Sequence, residues 1–215
     1  TFARVNSVRY KVFLELVSKC INMPVCYEKK DINVKAISYQ EDVLKIQEEI
    51  RKGNVYQVNL TTGHQFSIPQ ELPLFSSWLK LYTKQVSNQS SFISLPGIKV
   101  ASLSPELFFS VRNNTILSEP MKGTSGVSTA QVKSMQTSEK EKAENAMITD
   151  MIRNDIARVS EFGSVSVTKP FFTTSYQTIS QMSTQIKANL RPGTGLVEII
   201  NALHPPGSVT GAPKI

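Results

Sequence analysis

A chain of 215 residues with 40% hydrophobic content can bury a substantial core, which excludes a disordered protein. Its charge of +7 suits an anionic partner, but the basic residues are scattered and not interleaved with aromatics, which argues against nucleic acid. Cys20 and Cys26 are too few for a disulfide framework or a zinc site, and no apolar run approaches the ~20 residues that cross a bilayer, so the expected setting is cytoplasmic, with no membrane partner.

Between Tyr39 and Lys52, Val43, Leu44, Ile46, Gln47 and Ile50 recur at helical spacing and Gly53 follows, predicting a helix with a glycine stop. In residues 55–61, Tyr56, Val58 and Leu60 alternate with Gln57, Asn59 and Thr61, predicting a strand with one apolar and one hydrogen-bonding face. A second helix is expected over Pro73–Val86 around Trp78, closed by the polar loop 87–91. Strands are expected at 91–95, 99–103, 107–111 and 115–118, the last two joined by a turn at Asn113-Asn114. Residues 125–138, rich in Ser, Thr and Gly, read as a mobile loop leading into a charged helix over 139–159, and a further helix is expected over 194–203. With no internal repeat and no linker composition, the chain reads as a single α+β domain over 1–215.

Four groups of residues could carry chemistry. Glu141 and Glu144 are three apart on the charged helix and therefore share a face, where two carboxylates can hold a magnesium ion that keeps several waters; a solvated surface face is the alternative. Lys122 stands where a strand ends at Pro120 and a glycine follows; an amine there can lose part of its hydration, which favours the neutral nucleophilic form, against the alternative of a surface lysine at a turn. Gly123 and Thr124 offer adjacent amides for a carboxylate, as any plain turn would. The segment from Pro205 to Lys214 brings two glycines, two hydroxyls and a lysine, an anion cradle without the spacing of a phosphate loop. His64 and His204 are isolated and read as structural, and a hydrolase has no support because no nucleophile elbow or metalloprotease helix occurs.

The order of these segments is more specific than any one of them. Tyr56-Gln57-Val58-Asn59-Leu60, Ser104-Pro105-Glu106-Leu107-Phe108, Pro120-Met121-Lys122-Gly123-Thr124, Glu144-Asn145 with Arg153-Asn154-Asp155, and Gly207 to Lys214 together resemble the chorismate-utilising enzymes, over about residues 39–215. The resemblance implies the fold of anthranilate synthase component I: α+β, an antiparallel β-sandwich flanked by helices, here lacking its C-terminal part. It also sorts the members. Gln57 stands where isochorismate and salicylate synthases carry a water-activating lysine, which favours ammonia as nucleophile. Lys122 stands where anthranilate synthases typically have alanine, and matches the form of aminodeoxychorismate synthases.

By resemblance, Lys122, Glu106 and Gln181 are catalytic positions, Gln57, Gly123, Thr124, Ser208 and Lys214 border the substrate, and Glu144 and Glu141 hold magnesium. The implied reaction adds the Lys122 amine at C2 of chorismate with loss of the C4 hydroxyl, then adds ammonia at C4 and expels the lysine, giving 4-amino-4-deoxychorismate without release of pyruvate. A glutamine amidotransferase subunit is the implied source of ammonia. Two departures stand against the family pattern. Gln181 occupies the position of a histidine proposed to protonate the departing hydroxyl, and glutamine cannot deliver a proton. The motifs that follow G-A-P-K in the family are also missing, so the true product is expected to be longer and the chain incomplete at both ends. The competing readings are an anthranilate synthase component I and a truncated, non-catalytic chorismate-fold binding protein.

Overall fold

The computed structural model describes residues 39–61 and 74–214; Cys20, Cys26, His64 and the expected helix start at Pro73 lie outside them. The chain divides into two compact units, 1–34 with 64–105 and 35–63 with 106–215.

The described part of the first unit is one helix and one hairpin. Before it in the chain come α1 (Tyr39–Arg51) and β1 (Gln57–Val58), which belong to the second unit; the helix here is α2 (Leu74–Lys84) and the hairpin is β2 (Ser91–Leu95) with β3 (Ile98–Ser102). Aromatic packing joins them. Phe75 and Trp78 on α2 meet Phe92 with ring centroids 5.1 and 5.9 Å apart, and Trp78 Nε1 donates to the Ser102 carbonyl at 2.8 Å, so the half-buried indole has its polar end satisfied.

The second unit is built on an antiparallel sheet of five strands: β4 (Leu107–Arg112), β5 (Thr115–Glu119), β6 (Met121–Ser125), β7 (Ser166–Ser175) and β8 (Ser180–Asn189). The β4–β5 turn is made by Asn113 and Asn114, both at positive φ, as their turn chemistry suggests. Strand β8 is the centre. Gln181 pairs with Thr124 of β6 and also with Thr174 of β7, so these lie on opposite edges of β8. Strands β5 and β6 follow one another along the same edge, joined at Pro120, whose carbonyl accepts from Thr184 N at 3.2 Å.

Two helices, α3 (Thr129–Thr137) and α4 (Glu139–Ala157), follow β6. The stretch expected as a mobile loop is therefore largely helical. Ser128 caps α3 and Ser138 caps α4, each accepting from the backbone N–H three residues on, and Met135 is the buried residue of α3; one apolar anchor is too little to register as a periodic pattern. Helix α4 buries Ile148, Ile152 and Ile156, which pack with Ile116, Ile186 and Leu203 into the core. The chain closes with α5 (Leu196–Leu203), α6 (Gly207–Thr210) and β9 (Gly211–Ala212), the last pairing antiparallel with β1.

Strands β7 and β8 were not expected, because β7 contains Pro170 and β8 runs Ser-Gln-Met-Ser-Thr-Gln before its first isoleucine. Along β8, burial on both faces removes the apolar alternation that marks a strand open to water. The strand expected over 55–61 shortens to two residues, and its faces are arranged polar-inward: Gln57 is half-buried, whereas Tyr56 is 77% exposed. Helix α1 ends as expected, with Gly53 at φ +77, but its apolar stripe is not buried. None of the described helices is long and apolar enough to cross a membrane.

Candidate active site

The site begins with a one-residue irregularity. The β5–β6 edge keeps a constant register against β8 from Thr115 to Met121, which pairs with Ser183; the next pair, Thr124 with Gln181, is offset by one residue. Lys122 and Gly123 together therefore oppose Met182, a β-bulge. Gly123 takes φ +106, and an added Cβ would lie 3.1 Å from Glu141 Oε2 and 3.2 Å from Met182 Cβ, so glycine is required both for the backbone angle and for the approach of the Glu141 carboxylate. The bulge thus presents a half-buried lysine on a strand whose far edge is unpaired among the described strands.

Helix α4 lies against this bulge through Asn145. Its Nδ2 donates to the carbonyls of Lys122 at 3.1 Å and Met182 at 3.3 Å, while its Oδ1 accepts from the hydroxyls of Thr184 at 2.6 Å and Thr149 at 3.4 Å. Glu141 and Glu144 precede this amide on the same helix. Glu144 has Lys140 as its ion-pair partner at 3.9 Å, too long for a hydrogen bond, and the carboxylate is 37% exposed.

Glu106, just before β4, reaches the same bulge: its Oε1 accepts from Met121 N at 3.4 Å. Burial pushes its carboxyl above the usual glutamate range, opposed by the Met121 hydrogen bond and by the charge of Lys122. Gln181 is brought beside Thr124 by strand pairing, but it alternates with Met182 and Thr184, so its side chain leaves β8 on the face away from Asn145. On that face Gln181 Oε1 and Ser183 Oγ are buried with no hydrogen-bond partner among the described residues. A cavity of about 290 Å³ opens between β6, α3 and α4, lined by Thr124, Ser125, Ser134, Ser138 and Glu141.

The other expected residues form a second neighbourhood. Gln57 Nε2 donates to Asn59 Oδ1 at 3.3 Å, and Asn59 Nδ2 donates to the Ser208 carbonyl at 3.0 Å, so Gln57 and Ser208 are linked through β1 and α6. Gly211 permits the crossing of β9 over β1, because a Cβ there would collide with the Gln57 carbonyl. Lys214 Nζ is held by Asp155 Oδ2 at 2.9 Å and by the Ala202 carbonyl at 2.9 Å, tying β9 to the far end of α4. Asn145 and Asp155 are ten residues apart, about 15 Å along a helix, which separates the two neighbourhoods along one rigid element.

The profile of the chorismate binding enzymes matches residues 24–215. The chain belongs to that family. Among its relatives, an aminodeoxychorismate synthase component 1 of Klebsiella aerogenes is 33% identical, with 85% of this chain and 42% of the relative covered. An anthranilate synthase component 1 of Haloarcula marismortui is 29% identical, over 82% of this chain and 36% of the relative. The crystal structure of anthranilate synthase component I from Streptococcus pneumoniae shares the fold with TM-score 0.70 at 23% identity, covering 99% of this chain and 50% of that one. The chain therefore spans about half or less of the proteins it matches.

The similarity confirms the expected α+β fold of anthranilate synthase component I and a chorismate-utilising enzyme family. The relatives divide between aminodeoxychorismate and anthranilate synthases, so membership extends to the family and not to one branch. Sequence reasoning singled out the bulge lysine and the helix carboxylates but gave no role to Asn145, Thr184 or the burial of Asp155. A signal existed: Asn145 falls on the stripe of Ile148 and Ile152, where a core-facing helix position normally carries an apolar side chain.

Proposed function

We propose that this chain is the chorismate-binding part of an aminodeoxychorismate synthase, a cytoplasmic enzyme that aminates chorismate toward p-aminobenzoate and folate. The observation that carries the reading is Lys122 on its bulge, half-buried, tied through its carbonyl to the helix that bears Glu141 and Glu144, with Glu106 beside it. An amine in this setting is a nucleophile for C2 of chorismate. Glu106, whose carboxyl holds its proton more firmly than an ordinary glutamate, protonates the C4 hydroxyl as it leaves as water, a task Gln181 cannot perform. Ammonia then adds at C4, and the C2–N bond breaks as the electron pair returns to Lys122. The Gly123 and Thr124 amides border the substrate at the bulge; Gln57, Ser208 and Lys214 stand in the second neighbourhood further along α4, and Gln181 leaves β8 on its opposite face, so none of these four is assigned a contact to the reacting atoms.

The donor set suits magnesium: Glu141 and Glu144 are hard oxygen ligands one turn apart, and two carboxylates leave the remaining positions to water and an acidic substrate. Bound there, the ion would neutralise the substrate carboxylate. Ammonia at neutral pH is scarce, which supports a glutamine amidotransferase subunit as the partner. Two further readings have an observation behind them. An anthranilate synthase is favoured by the Haloarcula relative, and a binding protein without turnover by the glutamine at position 181.

Product analysis of the chain with chorismate, magnesium and ammonium at mildly alkaline pH separates them. Aminodeoxychorismate without pyruvate, abolished in Lys122→Ala, is the expected result. Anthranilate with pyruvate, or turnover indifferent to Lys122→Ala, refutes the proposal.

A further inference from the structure

Asn145 is 1% exposed, and its amide joins three elements, α4, β6 and β8. The chain of contacts starts at a second bulge. Strand β7 slips by one residue between Lys169 and Phe172, and Phe171 stands there at φ +49, a conformation that non-glycine residues rarely adopt. That backbone turns the Phe171 N–H toward Thr184 Oγ1, to which it donates at 3.1 Å. The Thr184 hydroxyl has one proton, and it donates to Asn145 Oδ1 at 2.6 Å.

The amide orientation follows. With Oδ1 engaged by Thr184 and Thr149, Nδ2 must face the carbonyls of Lys122 and Met182; the flipped amide would set its oxygen against two carbonyl oxygens. The Lys122 carbonyl sits where the β6–β8 register breaks, so this hydrogen bond holds the irregular part of the strand. We infer that Phe171, Thr184 and Asn145 form a positioning device that sets the direction of Lys122, with Asn145 and Thr184 as positioning residues. The inference rests on the proposed reaction for its catalytic meaning, but the geometry concerns Lys122 itself.

Its test reads lysine reactivity instead of turnover. Competitive acetylation by acetic anhydride at fixed alkaline pH is followed by peptide mass spectrometry, with exposed Lys133 and Lys140 as internal references. Thr184→Val is expected to change Lys122 labelling relative to these references by about fivefold, the consequence of losing one buried hydrogen bond, whereas Thr184→Ser restores the wild-type ratio. If Thr184→Val does not fold, Asn145→Asp keeps the shape and the Oδ1 acceptor but removes the Nδ2 donors, and it must shift the ratio as well. A melting temperature that falls while the Lys122 ratio stays constant overturns the device and leaves a purely structural network. Labelling that responds as expected, while chorismate is left unchanged both by this chain and by the longer product that contains it, refutes the reaction and retains the device.

Discussion

Removing one side of the Lys214–Asp155 pair offers a demanding test of how the terminal segment is held. Asp155 is 5% and Lys214 16% exposed at the side chain, so each charge is largely withdrawn from water and depends on the other. Lys214→Met leaves the Asp155 carboxylate buried and unpaired, which costs about 3–5 kcal/mol, and also removes the charged donor from the Ala202 carbonyl. In a chain of this size each kcal/mol is worth about 2–4 °C, so 3 kcal/mol predicts a melting temperature lower by about 6–12 °C. The double variant Asp155→Leu, Lys214→Met replaces the pair by apolar side chains and should return to within about 1 kcal/mol of the wild type. Urea unfolding of the four chains of this cycle gives the coupling energy directly. The reasoning is refuted if Lys214→Met unfolds at the wild-type midpoint, or if the double variant loses the sum of the single losses.

Glu106 predicts a pH dependence. Burial raises its carboxyl above the unfolded value, so the folded state binds this proton more tightly; the resulting stability is fully present below the ordinary glutamate pKa and is lost as pH rises through the folded-state value. Glu106→Gln should therefore gain stability relative to wild type as pH rises from about 4 to 7, and urea midpoints showing a constant or opposite difference would contradict the assigned cause. Gly123→Ala forces a side chain onto φ +106 with Glu141 Oε2 and Met182 Cβ 3.1 and 3.2 Å away, and should cost about 1–3 kcal/mol while displacing the Glu141 carboxylate; a wild-type melting curve would show that the bulge relaxes without strain.

Much of the candidate site was legible in order, because the chemistry-bearing residues fall within short motifs. Gly123 after Lys122 announced a backbone that needs glycine, and the spacing of Glu141 and Glu144 fixed them to one face of a helix, since 3.6 residues make a turn. The turn at Asn113-Asn114 and the stop at Gly53 were equally local, each set by a residue that tolerates positive φ.

The sheet centre was not legible. Strand β8 carries its polar residues inward because β7, β5 and α4 supply partners for them: Thr168 and Glu119 for Gln185, Asn145 for Thr184. A hydrogen bond across 39 residues has no periodic trace in the chain, so a buried polar strand looks like a loop until its neighbours are in place. The same holds for the lysines. The sequence by itself offered Lys122 as a nucleophile and Lys214 as part of an anion cradle; tertiary structure leaves Lys122 on a bulge at a sheet edge unpaired among the described strands and encloses Lys214 against Asp155, because the cost of burying a charge is met only where the fold brings its counter-charge within reach.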